Sequence, residues 1–171
     1  MKLDFWSRVD LFARSLTPVL LTLVFIMVQQ VSLHIPNFAQ VSPLLALISI
    51  YYWAIYRPDL MPMLAVFLLG LADDLMSGSV LGVSSFIYLI CYALVGAQRR
   101  FFYVKGFGIV WWGFMLVAAL MIALKWVVVC LLDQNLYSFL PSVFSYLMSL
   151  AFFPIMAVIL WAAHKTVPQQ G

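Results

Sequence analysis

Charge is what this sequence has least of. Of its 171 residues 9% are Asp, Glu, Lys or Arg while 66% are hydrophobic, and the mean hydropathy is +1.09. Between Ser15 and Tyr56 there is no charged side chain, and further uncharged stretches run from Leu75 to Gln98, Gly106 to Leu124 and Gln134 to His164. Soluble domains carry about a quarter of their residues as charges, so a water-soluble globular protein is excluded. A bilayer core of about 30 Å takes about 20 helical residues, so these stretches hold several spans and the chain reads as an all-α polytopic membrane protein. Cysteine is nearly as scarce. Cys91 and Cys130 fall inside expected spans at opposite depths, which argues against a disulfide between them. Basic residues never gather beyond Arg99-Arg100 plus Lys105, at a span end, so no nucleic acid is expected as a partner. Catalytic patterns are missing too: there is no Ser-His-Asp set, Walker loop or His-Glu zinc motif. His34 and His164 have no acidic or Cys companions, so no enzyme activity, metal or cofactor is expected.

Hydropathy and turn formers place six transmembrane helices at about 15 to 33, 42 to 56, 58 to 76, 80 to 98, 107 to 131 and 139 to 163. The breaks fall at Ile35-Pro36-Asn37, Arg57-Pro58-Asp59, Ser77-Gly78-Ser79, Arg99 through Gly106, and Asp133-Gln134-Asn135. With both termini in the cytoplasm, Lys2, Arg8, Arg14, Arg57, Arg99, Arg100, Lys105 and Lys165 all lie inside, and the outer loops hold no Lys or Arg. Tyr51, Tyr52, Trp53, Trp111, Trp112 and Trp161 then gather at the cytoplasmic boundary as an interfacial belt. No small-residue cleavage site follows the first apolar run, so that helix is read as retained. Residues 1–14 pattern as a cytoplasmic amphipathic segment, with Phe5, Trp6, Val9, Phe12 and Ala13 set against Lys2, Asp4, Arg8, Asp10 and Arg14. A single transmembrane domain over 15–165 and a short cytoplasmic tail over 166–171 complete the organisation.

Three ionisable residues remain inside the membrane. If the third helix starts at Pro58, Asp73 and Asp74 lie about 22 to 24 Å up it, in the outer third of the bilayer; Lys125 lies about 27 Å up the fifth. An ionised group in hydrocarbon costs about 3 kcal/mol even on lenient scales, so an intramembrane ion pair of Lys125 with Asp74 or Asp73 is attractive. The other reading has Lys125 snorkelling outward and both aspartates in headgroup water. Asp74 shares a helix face with Gly70, Ser77 and Gly78, a small polar stripe, whereas Asp73 shares its face with Val66, Leu69 and Ser77. That predicts Asp74 pointing into the bundle and Asp73 more exposed. Gly78 and Gly82 have the spacing of a close helix contact.

The stretch "YYWAIYRPDLMPMLAVFLLGLADDLMSGSVLGVSSFIYLI", residues 51 to 90, resembles the MreD family of rod shape-determining proteins. The family's glycine falls on Gly70, its aspartate on Asp74, its Ser-Gly on Ser77 and Gly78, and its Leu-Gly on Leu81 and Gly82. Asp73 stands where the family has an apolar or variable residue. The resemblance implies a fold like the substrate-binding membrane subunits of energy-coupling-factor transporters, and a location in the bacterial cytoplasmic (inner) membrane. It implies a non-enzymatic scaffold or regulator of the cell elongation complex, serving rod shape and lateral peptidoglycan synthesis. Its partners would be MreC, with RodA, the class B transpeptidase paired with RodA, MreB and membrane lipid. Gly70, Asp74, Ser77, Gly78, Leu81 and Gly82 would organise helix packing and partner surfaces. The rival reading is a small-molecule-binding subunit of a vitamin transporter, with a polar outer cavity near Asp73, Asp74 and Lys125.

Overall fold

The computed structural model describes residues 3–30, 42–103, 106–134 and 138–166, with side chains described over 17–30, 42–99, 106–132, 134 and 138–163. Among these residues every regular element is helical: α1 (Leu3–Gln30), α2 (Leu45–Tyr56), α3 (Met63–Ser77), α4 (Val83–Tyr103), α5 (Phe107–Asp133) and α6 (Leu140–Thr166). The expected count and order of helices hold, and the bounds shift for local reasons. Pro58–Leu60 forms a separate 3₁₀ turn rather than the start of the third helix. Pro62 has no N–H and disfavours helical geometry at Met61, so α3 begins only at Met63. The backbone of α1 is helical from Leu3 through the boundary expected at residue 15. The amphipathic face expected at 1–14 and the break at Ile35-Pro36-Asn37 lie outside the described residues.

A helix that is apolar on every side belongs inside a bundle. α2, LALISIYYWAIY, has that composition, and Leu45 through Ile55 are all buried. It packs against α1, α4, α5 and α6, while α3 lies outside it against α1 and α4. This corrects one expectation: Tyr51, Tyr52 and Trp53 are core residues, not part of an interfacial belt, because α2 is enclosed along its length. Trp112 and Trp161 are exposed, as lipid-facing rings would be. Val110, Phe114, Ala118 and Met121 face inward from α5 at helical spacing, with Trp112, Leu116, Leu120, Val127 and Leu131 on the outer face. Phe107–Leu132 and Leu140–Ala163 are long and apolar enough to cross a bilayer. Cys91 and Cys130 are both free thiols.

Candidate functional site

The stripe Val66, Leu69, Gly70, Asp73, Asp74 has the i, i+3, i+4, i+7, i+8 spacing of one helix face, and all five residues are buried. It is the face α3 turns toward α4. A Cβ at Gly70 would overlap the Cα of Ser85 and lie 2.6 Å from its backbone N, so the two helices touch at backbone level. Ser85 Oγ, freed to reach across, donates to Phe67 O at 3.1 Å. Gly70 is therefore the packing glycine. Gly78 and Gly82 are not: a Cβ at either would meet nothing within 4 Å, and each has positive φ, +67° and +98°. Their spacing belongs to a turn, where glycine supplies the left-handed conformations an L side chain resists.

Asp74 closes both helix ends at that turn. Its carbonyl accepts the N–H groups of Gly78 and Ser79, ending α3 in a left-handed cap. Its side chain crosses to the start of α4, where Oδ2 accepts Gly82 N–H at 2.8 Å and Oδ1 accepts Ser84 N–H at 3.0 Å. Ser79 Oγ donates to Oδ1 at 2.8 Å. Gly82 has no side chain to cap the helix it precedes, so the carboxylate ten residues before Ser84 does so, with its charge placed at the positive end of the helix dipole. Ser77 Oγ donates to Ser79 Oγ at 3.1 Å, and Leu81 is exposed.

Asp73 is buried at 3% exposure, against 0% for Asp74, so the expected difference between an inward and a more exposed aspartate shrinks to two buried ones. The facial argument placed Asp73 beside Val66 and Leu69 but took those residues as an outer face; both are buried, and α1 as well as α4 packs on α3. The Asp73 carboxylate accepts three side-chain donors. Oδ1 takes Gln29 Nε2 at 2.6 Å and Gln30 Nε2 at 3.1 Å, and Oδ2 takes Tyr88 OH at 2.7 Å. Gln29 Oε1 in turn accepts Ala46 N–H at 3.2 Å, a donor in the first turn of α2. One carboxylate thus joins α1, α3 and α4 directly and α2 through Gln29. Among the described residues each partner of the two carboxyl groups is an N–H or O–H group able to donate.

Lys125 lies on the inward face of α5, and Nζ donates to Ser84 Oγ at 3.2 Å. The expected direct ion pair is replaced by a relay, because the backbone N–H of the same Ser84 already bonds Asp74. Leu44, Leu47, Ser84, Ile87, Tyr88, Met121, Ile122 and Lys125 line a small cleft of about 20 Å³ between α2, α4 and α5. Sequence reasoning missed Gln29, Gln30, Tyr88, Ser79, Ser84 and Ser85. The double amide at the end of an apolar run and the Ser-Ser at the start of the next helix were the available signals.

The family model described as rod shape-determining protein MreD matches residues 11–163. No curated protein and no solved structure matches the chain.

Proposed function

The chain belongs to the MreD family of rod shape-determining proteins, and from that premise we propose that it is a non-enzymatic scaffold of the cell elongation complex. Membership carries a role in rod shape determination and, with the apolar helices, a membrane location. The proposal adds a multi-pass arrangement in the bacterial inner membrane with both termini in the cytoplasm. Its partners are MreC, and around it RodA, the class B transpeptidase and MreB. The observation that supports a scaffold is how the buried acids are used. Asp73 and Asp74, two buried acids of α3, are each held by donors from neighbouring elements, so their polarity goes into fixing helix positions. Fixed helices present a constant outer surface to partners.

The small-molecule reading is favoured by one feature, the cleft beside Lys125. At about 20 Å³ it has room for about one water molecule and falls far below the few hundred Å³ of drug-sized ligand sites, which places this reading second. Affinity purification of the full chain in mild detergent separates the two. Recovery of MreC, RodA or the transpeptidase is the expected result, and Asp74→Ala should lower that recovery and round the cells that depend on it. A preparation that retains one vitamin-sized molecule and none of these proteins reverses the ranking.

A further inference from the structure

The cleft between α2, α4 and α5 is small but not wholly apolar. Most of its lining side chains are Leu, Ile or Met, while Ser84, Tyr88 and Lys125 bring polar groups to it. Ser84 and Tyr88 stand one turn apart on α4, and helical side chains lean toward the N-terminus, so the Tyr88 ring rises toward the level of Ser84. Each is engaged with a different aspartate. Tyr88 OH donates to Asp73 at 2.7 Å, and Ser84 N–H donates to Asp74 at 3.0 Å, so the cleft borders both acid networks.

Hydrogen-bond accounting leaves three groups at this cleft incomplete. Ser84 is buried at 1% exposure and its Oγ accepts from Lys125 Nζ at 3.2 Å, but among the described residues its own O–H has no acceptor. Lys125 has three N–H groups, and among the described residues only Ser84 Oγ takes one. Tyr88, also buried, gives its proton to Asp73 and keeps an oxygen lone pair able to accept. A buried donor left unpaired is costly, so a partner belongs there. We propose that the cleft binds one structural water molecule, which accepts from Lys125 Nζ and Ser84 Oγ and donates to the Tyr88 oxygen. The volume of about 20 Å³ meets the roughly 10 to 15 Å³ that a single water needs, and three hydrogen bonds are the usual complement of a buried one. An anion would meet two acids for one ammonium, and a cation would face that ammonium and a hydroxyl proton. Water, with two donors and two lone pairs, suits the set. It closes a chain from Asp73 through Tyr88 to Lys125 and Ser84, so that α5 is held to both aspartates. This goes beyond the scaffold reading and does not depend on which proteins bind the chain.

A crystal structure of the full chain grown from lipid, at a resolution that shows ordered water, tests occupancy. One density peak about 2.7 to 3.2 Å from Lys125 Nζ, Ser84 Oγ and the Tyr88 oxygen is expected. An empty cleft, one closed by direct contact of Lys125 with Tyr88, or one filled by an acyl chain or an ion overturns the site. Unfolding in one detergent tests the coupling. Tyr88→Phe and Lys125→Met are compared singly and together; the two side chains share no direct bond, so without the water their losses add. The expected midpoint loss of the double variant falls short of the sum by about 2 to 4 °C, the shift that one net hydrogen bond gives in a chain of this size. Gln29→Leu with Lys125→Met is the control, because Gln29 holds the same Asp73 carboxylate without lining the cleft, and this pair should add. Additive loss in the first pair overturns the water bridge. Equal coupling in both pairs assigns the effect to the Asp73 charge and overturns it as well. Should a variant fail to fold, the density at the cleft decides.

Discussion

The α3–α4 hairpin and the α5–α6 pair are built on opposite rules. The hairpin is set by backbone approach at Gly70 and Ser85 and by a carboxylate that caps both helix ends, contacts that a shift of one ångström destroys. The pair is held by rings: Tyr146 OH donates to Met115 O at 3.1 Å, and Trp126 meets Phe139 edge-on at 5.5 Å. Phe114 stacks on Phe153 with centroids 4.5 Å apart, and both lie against Tyr51 of α2. Within lipid there is no hydrophobic drive between helices, so close approach and hydrogen bonds decide which pairs are rigid. The hairpin is the fixed reference of the fold, and the α5–α6 pair is the adjustable wall.

The sharpest way to break that contrast is bulk at Gly70. Gly70→Leu drives a side chain into the Ser85 backbone, which cannot move aside as a side-chain tip would, so the cost exceeds the roughly 3 kcal/mol of ordinary overpacking. The variant should fail to give a monodisperse peak in detergent. Gly96→Leu, at an exposed α4 position where a Cβ meets nothing within 4 Å, should behave as the parent chain. Similar profiles for the two variants would show that the close approach does not hold the hairpin.

Next in size is Asp74. Asp74→Ala leaves the Gly82 and Ser84 N–H groups without an acceptor at the start of α4, at roughly 1 to 3 kcal/mol each, so about 2 to 6 kcal/mol is expected. Asp74→Asn keeps one acceptor oxygen and should recover about half of that loss. Thermal unfolding of the purified variants in one detergent ranks them. An Asn variant no better than Ala would assign the effect to charge at the helix end rather than to capping bonds.

Asp73 follows, and it tests whether the fixed region extends to α1. Asp73→Asn keeps the Gln29 and Gln30 bonds only if its NH₂ group faces Tyr88, whose hydroxyl must then accept and leaves its own proton without the carboxylate acceptor. A loss of about 1 to 3 kcal/mol is expected, with a smaller one for Gln29→Leu, which keeps the Tyr88 bond. An additive double variant would show that Gln29 does not act through Asp73.

These residues also mark how far the sequence could be read. The helix count, the membrane class and the burial of Asp74 were legible, because hydropathy runs and turn residues are local signals. The role of Asp74 as the cap of α4 was hidden by distance: its acceptors serve N–H groups eight and ten residues on, across a turn whose two glycines imitate a packing motif. The burial of Asp73 was not legible because facing in or out depends on which neighbours pack on α3, and α1 does so from 44 residues away through Gln29. Lys125 was placed at the right level, but a serine hydroxyl stands between it and the acid. Long-range polar partners carry no periodicity, so they surface only once the helices are packed.

The smallest expected effect lies in the α5–α6 wall, and it decides whether that wall is adjustable. Tyr146→Phe keeps the ring and removes the donor to Met115 O, a carbonyl that belongs to the helical ladder of α5 and retains a lone pair's worth of bonding there. The loss is a net neutral hydrogen bond, about 0.5 to 1.5 kcal/mol, with nothing buried left wholly unpaired. If rings rather than this bond set the pair, unfolding should shift by only a few degrees and partner recovery should stay at the parent level. A drop as large as that of Asp74→Ala would mean that the α5–α6 pair is latched as specifically as the hairpin. The difference between a rigid reference and a yielding wall would then disappear.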